Sequence, residues 1–293
     1  MQMVYIIVLN WNGWADTLEC LGSLQALNYQ KRQLLVIDNG STNDSVARIR
    51  QRFPDVEVME TGRNLGFAAG NNIGIRYALS RGAKYVWLIN NDAKADPNAL
   101  TSLVETADAF PKAGAVGSVI YQMDEPRQIQ AWGGGGVSLW LGKTWVHTTQ
   151  RASRRLDYLS GASLLLRREA LVEVGLLDER YFMYWDDTDV CVRLRKAGWR
   201  LAVAERSYVW HKQCASLGRK SPEVDLYMKT SMAHFFHQHA PVPFVPILIG
   251  VGQIFAKRIL QRDWRRVLAL WRSIFQRSDG ELKIENQPQD QNP

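Results

Sequence analysis

Three carboxylates and two aromatic side chains fall within six residues at Tyr184-Trp185-Asp186-Asp187-Thr188-Asp189. Crowded carboxylates repel one another's charge, and partial burial adds to that effect. One of them can therefore be lifted towards the pKa that a general base needs, and Asp187 is the candidate. Trp185 offers a flat apolar face of the kind that stacks on a sugar ring. The same run also reads as the N-cap and acidic first turn of a helix over Thr188–Ala197, with Asp189 the residue best suited to that structural part. A second acidic position, Asp92, closes the run Asn90-Asn91-Asp92 after an apolar stretch. One carboxylate at a strand end can hold Mg²⁺ or Mn²⁺ whose other ligands come from substrate phosphates. Asp92 equally suits a turn ahead of Asp96-Pro97. His211, in Val209-Trp210-His211-Lys212, either completes such a metal site as neutral imidazole or has a purely structural part. Asp38 can accept the N3–H of a pyrimidine base, or can close an Asx turn within Asp38–Asp44.

These residues need a scaffold, and the first half of the chain supplies an α/β rhythm. Continuous apolar runs at Val4–Leu9, Leu34–Asp38, Val56–Glu60 and Tyr85–Asn90 read as buried strands. Helical patterns near Asp16–Ala26, Asp44–Phe53, Asn71–Ser80 and Asn98–Ala109 separate or follow them. Strands alternating with helices predict a Rossmann-like, mostly parallel sheet with helices on both faces. Ligands of such sheets bind beyond the carboxyl ends of the strands. Every strand here ends in polar side chains and turn formers: Asn10-Trp11-Asn12-Gly13, Asp38-Asn39-Gly40-Ser41, Thr61-Gly62-Arg63-Asn64 and Asn90-Asn91-Asp92. After about Gly133 the rhythm breaks. Gly133–Gly136 and the basic stretch Lys143–Arg155 read as a mobile excursion. An apolar run Leu164–Leu166, helices over Glu169–Val174 and Thr188–Ala197, and a last strand Arg200–Val203 follow.

The blocks LNWNG, VIDNGSTNDS, GRNLGFAAGNNIGI, WLINNDA, YLSGASLLLRREALVEVGLLDERYFMYWDDTDVCVRLRKAGWRL and VWHK together resemble the family 2 glycosyltransferases, in order and spacing, over about residues 3–217. The bacterial rhamnosyltransferase-like members look most similar. The resemblance implies a GT-A fold and an inverting transfer from a nucleoside-diphosphate sugar, with Mg²⁺ or Mn²⁺ as cofactor. By that resemblance Asp38 binds the base, Asn10 and Asn12 line the nucleoside pocket, and Arg63 and Asn64 lie beside it. Asn90-Asn91-Asp92 stands at the family's DxD-type motif, so Asp92 is the implied metal ligand and His211 the second. Gly161 and Ala162 border donor sugar and acceptor, with Trp185 and Asp186 on the acceptor side. Asp187 stands at the Asp of the Glu-Asp motif and is the implied base. Two positions depart from the pattern: Asp186 replaces the usual Glu, and Thr230-Ser231 replace an Arg-Asn pair. The implied organisation is a catalytic domain over 1–225 (nucleotide-sugar half about 1–115, acceptor half about 116–225), a helical segment over 226–277, and a disordered tail over 278–293. L-rhamnose from dTDP-rhamnose is the favoured donor, with galactofuranose, N-acetylglucosamine or another hexose as alternatives.

The chain has 293 residues, 46% hydrophobic and 22% charged, which suits an ordinary globular protein and excludes collagen or a mainly disordered chain. Three scattered cysteines supply neither a disulfide framework nor a CxxC zinc site, so a reducing compartment is expected. The opening MQMVYIIVLNWNG has no signal-peptide pattern, and no apolar run reaches the length of a spanning helix. The net charge is +7, and residues 257–277 alone carry +6. At helical spacing, Leu260, Trp264, Val267, Leu268, Trp271, Ile274 and Phe275 form one stripe, and Arg258, Arg262, Arg265, Arg266, Arg272 and Arg277 the other. Preceded by the short apolar Phe244–Phe255, this segment reads either as an interfacial helix on an anionic membrane or as a helix packing its stripe on the main domain. Nucleic acid is a poor fit, because the aromatics do not interleave with the arginines. The expected setting is cytoplasmic, peripheral at the inner membrane face, near a glycan or lipid-linked glycan acceptor. A nucleotidyltransferase would need a Gly-rich phosphate loop that LNWNGWADT does not offer. A catalytically silent sugar-nucleotide or membrane-binding protein is opposed by the joint presence of Asp92, Asp187 and His211.

Overall fold

The computed structural model describes residues 1–150, 156–212 and 222–275. Its first half is β1 (Val4–Asn10), α1 (Trp14–Gln25), β2 (Arg32–Asp38), α2 (Ser45–Arg52), β3 (Glu57–Glu60), α3 (Phe67–Ser80) and β4 (Tyr85–Asn90). Then come β5 (Ala93–Ala95), α4 (Ala99–Ala109), β6 (Ala113–Gln122), β7 (Ile129–Trp132), β8 (Gly134–Ser138), β9 (Lys143–Val146) and β10 (Tyr158–Leu159). The remainder is β11 (Ser163–Arg167), α5 (Arg168–Val174), α6 (Asp186–Lys196), β12 (Arg200–His211), α7 (Pro222–His239), α8 (Phe244–Leu260) and α9 (Trp264–Phe275).

The main sheet runs β3-β2-β1-β4-β11-β6-β12-β5, with β7 beside β6. β3, β2, β1 and β4 are parallel, as the buried apolar runs predict. β11 lies antiparallel between β4 and β6, so the second half of the sheet is mixed. Hydrophobic clusters fill both sheet faces. The chain leaves β1 in one direction to reach β2 and returns on its other side as β4, so a topological switch point falls between β1 and β4. In the β1–β4 register Leu9 faces Asn90, which sets the polar ends of both strands side by side.

Three expectations change. The Gly133–Gly136 and Lys143–Arg155 region is not a loose excursion where it is described: β8 pairs with β9 and β10 in an antiparallel sheet, and residues 151–155 lie outside the described residues. The glycines permit close strand approach, because a Cβ on Gly134 would sit 2.0 Å from the Tyr158 carbonyl oxygen and one on Gly135 1.8 Å from that of Trp145. The last strand extends past Val203 to His211. Its register on β6 shifts between Ala204 and Tyr208, where Glu205, Arg206 and Ser207 break the apolar run. The helix expected over Thr188–Ala197 starts earlier, at Asp186, and its N-cap is Trp185. Asp189 is therefore not the cap, but it does lie in the acidic first turn. It is buried, paired with Arg193 Nε and His239 Nε2, each at 2.7 Å.

At the C-terminus, α8 ends at Leu260 and α9 begins at Trp264, separated by a turn in which Arg262 has φ +55°. Two arginines expected on a solvated basic face point inward. Arg258 and Arg266 both grip the buried Asp225 of α7, at 2.6–2.8 Å. Arg266 is 2% exposed and Leu270 1%, so they face the protein. Trp264 (59%) and Leu268 (54%) face out, with Trp271 also exposed. The apolar stripe of this helix is thus turned away from the domain. On α8 Phe244, Leu248, Ile259 and Leu260 are exposed too. The tip of the β8–β9 hairpin carries exposed Trp140 and Leu141 and is joined to α8 by Gln253 Nε2 donating to the Leu141 carbonyl at 3.2 Å. Among the described residues no helix is long and apolar enough to cross a membrane. Arg277, the side chains of Ile274 and Phe275, and the tail 278–293 lie outside the described residues.

Candidate active site

The strand ends open onto a cavity of about 410 Å³. Asn64, Asn90, Asn91, Asp92, Gly161, Ala162, Trp185, Asp186, Asp187 and His211 line it, ten of the fourteen positions that the sequence and its family resemblance singled out. Asn10, Asn12, Asp38 and Arg63 do not line it.

The residues left out have visible local work. Asn10 donates to Asp38 Oδ1 at 2.7 Å and accepts from Thr17 Oγ1 at 2.8 Å. Asp38 Oδ2 accepts the Ser41 N–H at 3.0 Å and its Oδ1 accepts the Ser41 hydroxyl at 2.6 Å, so the Asx turn is formed. Asn12, at φ +56°, accepts the Thr42 N–H through its side chain at 2.8 Å. Arg63 is exposed. What faces the cavity from this side is Asn39, whose amide spans to Asn64 Oδ1 at 2.9 Å and to the Gly66 carbonyl at 3.1 Å. Gly66 has φ +84°, and a Cβ there would lie 2.5 Å from the Phe182 carbonyl oxygen. Only glycine lets this donor-side loop close against the segment leading to Asp187.

On the opposite wall, Tyr184 and Trp185 both adopt left-handed backbone, φ +68° and +67°. Two bulky residues in that region cost roughly 1–3 kcal/mol each. The cost is met by packing: Trp185 is buried against Phe235 and Phe236 of α7, and its Nε1 donates to Met228 Sδ at 3.2 Å. Trp185 is thus mainly an anchor tying the turn to α7, with one edge on the cavity. This corner starts α6 with Asp186 and Asp187 in its first turn. Asp187 Oδ2 accepts the Gly161 N–H at 2.9 Å, and Oδ1 accepts the Thr188 N–H at 2.6 Å and hydroxyl at 3.1 Å. Burial pushes its pKa up, and these three donors pull part of the way back. Asp186 is pushed up further, by burial and then by the charge of Asp187, and accepts no comparable set of donors. Asp187 is the member of the pair with donors for its charge, and Asp186 the one whose charged form burial opposes more strongly.

Asp92 and His211 meet across the β5–β12 pairing, whose register sets His211 opposite Ala93. Asp92 Oδ1 lies 3.1 Å from His211 Nε2. Ligands about 2.1 Å from one octahedral ion are separated by about 3.0 Å along an edge, so this spacing suits a divalent cation. Among the described residues no group of three or more His, Cys, Asp and Glu could hold a metal. A cation here would therefore take its other ligands from phosphate and water, as Mg²⁺ commonly does. The donor set of carboxylate oxygen and imidazole nitrogen fits Mg²⁺ less closely than Mn²⁺. Beside this pair the buried Asn90 Oδ1 and Gln130 Oε1 have no hydrogen-bond partner among the described residues.

Sequence reasoning passed over Trp11, Asn39, Gln130, Tyr158 and Met228, all of which line the cavity. Trp11 and Asn39 stood inside strand-end blocks already read. Gln130 and Met228 carried no signal, because β7 and α7 reach the site only through tertiary packing.

The fold is that of the GT-A glycosyltransferases. The mannosyltransferase PcManGT from Pyrobaculum calidifontis, solved in complex with GDP-Man and Mn²⁺, superposes with a TM-score of 0.60 at 18% identity, covering 96% of this chain and 76% of that one. The chain itself belongs to glycosyl transferase family 2, whose family model matches residues 5–175. It is 35% identical over 222 residues to an N-acetylglucosaminyl-diphospho-decaprenol L-rhamnosyltransferase of Mycobacterium tuberculosis, covering 68% of this chain and 72% of the relative. It is 30% identical over 193 residues to the galactofuranosyltransferase GlfT1 of the same species, covering 61% of each. The chain is a glycosyltransferase.

Proposed function

We propose that this enzyme transfers L-rhamnose from dTDP-L-rhamnose to a hydroxyl of a glycan or lipid-linked glycan acceptor in cell-surface polysaccharide synthesis, with inversion at the anomeric carbon. The observation that carries the reading is the shared cavity, lined by the Asp92–His211 pair and by Asp187. Asp187 takes the proton of the acceptor hydroxyl as that oxygen attacks the anomeric carbon. The bond from that carbon to the diphosphate oxygen breaks, and its electron pair leaves with the nucleoside diphosphate. Attack and departure on opposite faces give inversion. General-base help of this kind is worth about 10²–10⁴-fold. Mg²⁺ or Mn²⁺ held by Asp92 and His211 would supply Lewis-acid stabilisation of the diphosphate charge. Asn64, Asn90 and Asn91 offer neutral polar contacts on the donor side of the cavity, and at the neighbouring strand ends Asp38 would bind the base, with Asn10, Asn12 and Arg63 about the nucleoside. Gly161, Ala162, Trp185 and Asp186 border the acceptor side.

Rhamnose is favoured by the name of the 35%-identical relative, and galactofuranose by that of GlfT1 is the second reading. A lipid-linked acceptor agrees with the outward apolar surface of α8, α9 and the Trp140–Leu141 tip, flanked by Arg265 and Arg272. Such a surface suits interfacial docking on an anionic leaflet, at the cytoplasmic face. In this reading residues 1–225 form the catalytic domain and 226–277 the membrane-associated helices, although α7 crosses that boundary. The test is a donor screen that reads nucleoside diphosphate release with Mn²⁺ or Mg²⁺ and a lipid-linked N-acetylglucosamine acceptor. Release from dTDP-rhamnose above all other donors is expected. Release from UDP-galactofuranose alone would overturn the donor assignment, and release from none would favour a catalytically silent binder.

A further inference from the structure

His211 is held from both ring nitrogens. Gln130 Nε2 lies 3.1 Å from Nδ1, and Asn90 Nδ2 lies 3.1 Å from Nε2. Both contacts present an amide N–H to the ring, yet neutral imidazole has one acceptor nitrogen and one N–H. The ring cannot accept from both, so one of the two amides makes no hydrogen bond to it as oriented. Each has a buried oxygen without a hydrogen-bond partner among the described residues, Asn90 Oδ1 and Gln130 Oε1. A half-turn of a primary amide exchanges its O and N in nearly the same volume.

Asp92 decides which one turns. Its Oδ1 sits 3.1 Å from Nε2, on the nitrogen that Asn90 also faces. A cation shared by Asp92 and His211 needs the Nε2 lone pair, so the ring proton must be on Nδ1. Among the described residues only Gln130 stands at Nδ1 in hydrogen-bonding reach, and its Oε1 can accept that proton after the half-turn. Asn90 Nδ2 can then donate to Nε2 when no cation is present. With Gln130 left as donor, Nδ1 is the acceptor, the proton moves to Nε2, and the ring hydrogen-bonds to Asp92 without any ligand lone pair facing it.

We infer that Gln130 is a positioning residue: by accepting Nδ1–H it selects the tautomer of His211 that can bind a divalent cation together with Asp92. This rests on the metal reading given above. Partners of this kind, on the far nitrogen of a ligating histidine, commonly change metal affinity about 10–100-fold when removed.

The test measures Mn²⁺ binding by electron paramagnetic resonance in the presence of dTDP or UDP for four proteins: native, Gln130→Leu, Gln130→Glu and Asp92→Ala. Gln130→Glu keeps an acceptor at Nδ1 and Gln130→Leu removes it. Weakening of about 10–100-fold in Gln130→Leu, with affinity in Gln130→Glu equal to native or tighter, supports the inference. Both Gln130 variants within twofold of native, while Asp92→Ala loses binding, overturn it and leave the metal reading standing. Unchanged affinity in Asp92→Ala overturns the metal reading and this inference with it. Should Gln130→Leu fail to fold, ¹⁵N spectra of the His211 ring in native protein loaded with Mg²⁺ and dTDP decide alone. Protonated Nδ1 and unprotonated Nε2 support the assignment, and the opposite pattern overturns it.

Discussion

Asp187 Oδ2 accepts the backbone N–H of Gly161 at 2.9 Å, joining the first turn of α6 to the loop that precedes β11 across 26 residues of chain. The bond fixes the carboxylate's orientation against the sheet. With the two bonds from Thr188 it also separates the roles of neighbouring acids. Asp187 has donors for its charge, whereas Asp186 has burial and a charged neighbour against its own.

Asp186→Asn should therefore stabilise the protein at neutral pH. The folded state holds the Asp186 proton to higher pH than the unfolded chain does, so the unfolded chain binds fewer protons between the two pKa values. Stability is full below the ordinary carboxylate range and falls as pH rises towards the raised folded value. Asparagine removes that loss. Thermal melts should show Asp186→Asn about 2–4 °C above native at pH 7, the response to about 1 kcal/mol in a chain of this size. The gap should close as pH falls to about 4. A lower melting temperature at pH 7 would contradict it.

Asp225 carries the opposite sign. Burial raises its pKa, but the guanidinium groups of Arg258 and Arg266 outweigh that and hold it below the usual range. Its contribution is present above the ordinary carboxylate pKa and is lost as pH falls through the depressed folded value. Asp225→Ala removes the buried carboxylate that Arg258 and Arg266 both grip, and breaking a buried pair on one side typically costs about 3–5 kcal/mol. Denaturant unfolding should show that loss, with α8 and α9 released first. Limited proteolysis should cut after α7 in the variant and not in the native protein.

Membrane docking is testable at Trp264 and Leu268, which face outward. Trp264→Asp with Leu268→Asp should lower binding to phosphatidylglycerol-containing vesicles at least about tenfold while leaving the fold unchanged by circular dichroism. Reversing Arg265 to Glu should cost about 1 kcal/mol or more and steepen with falling salt. Equal sedimentation of native and variant proteins with vesicles would show that the stripe has another use.

The sheet half of this fold was legible because its strands are buried on both faces. Val4–Leu9 and Tyr85–Asn90 leave no alternation to misread, and the polar end Asn90-Asn91-Asp92 marked the cavity directly. Asp92 and Asp187 stood out as a carboxylate at a strand end and one in an acidic cluster, and both line the cavity. The rest depended on partners remote in sequence. Glu205-Arg206-Ser207 hid the strand that delivers His211, because its bulge lets polar residues sit in a strand. The glycines of β8 read as flexibility, although they serve close strand contact. Arg258 and Arg266 read as solvated charge because their partner, Asp225, lies 33 and 41 residues away. Trp185 read as a sugar platform because nothing local announces Phe235, Phe236 and Met228.

The most direct test of the account is Asp187→Asn, assayed for transfer and for nucleotide binding in the same preparation. Asparagine keeps the shape and one acceptor oxygen, for Gly161 or for Thr188 but not both, and it cannot take a proton from the acceptor hydroxyl. Calorimetry should give an affinity for the donor nucleoside diphosphate within about twofold of native in the presence of Mn²⁺, while turnover to acceptor falls about 10²–10⁴-fold. Turnover near the native rate would contradict the assignment of Asp187 as the base, and with it the mechanism proposed for this site.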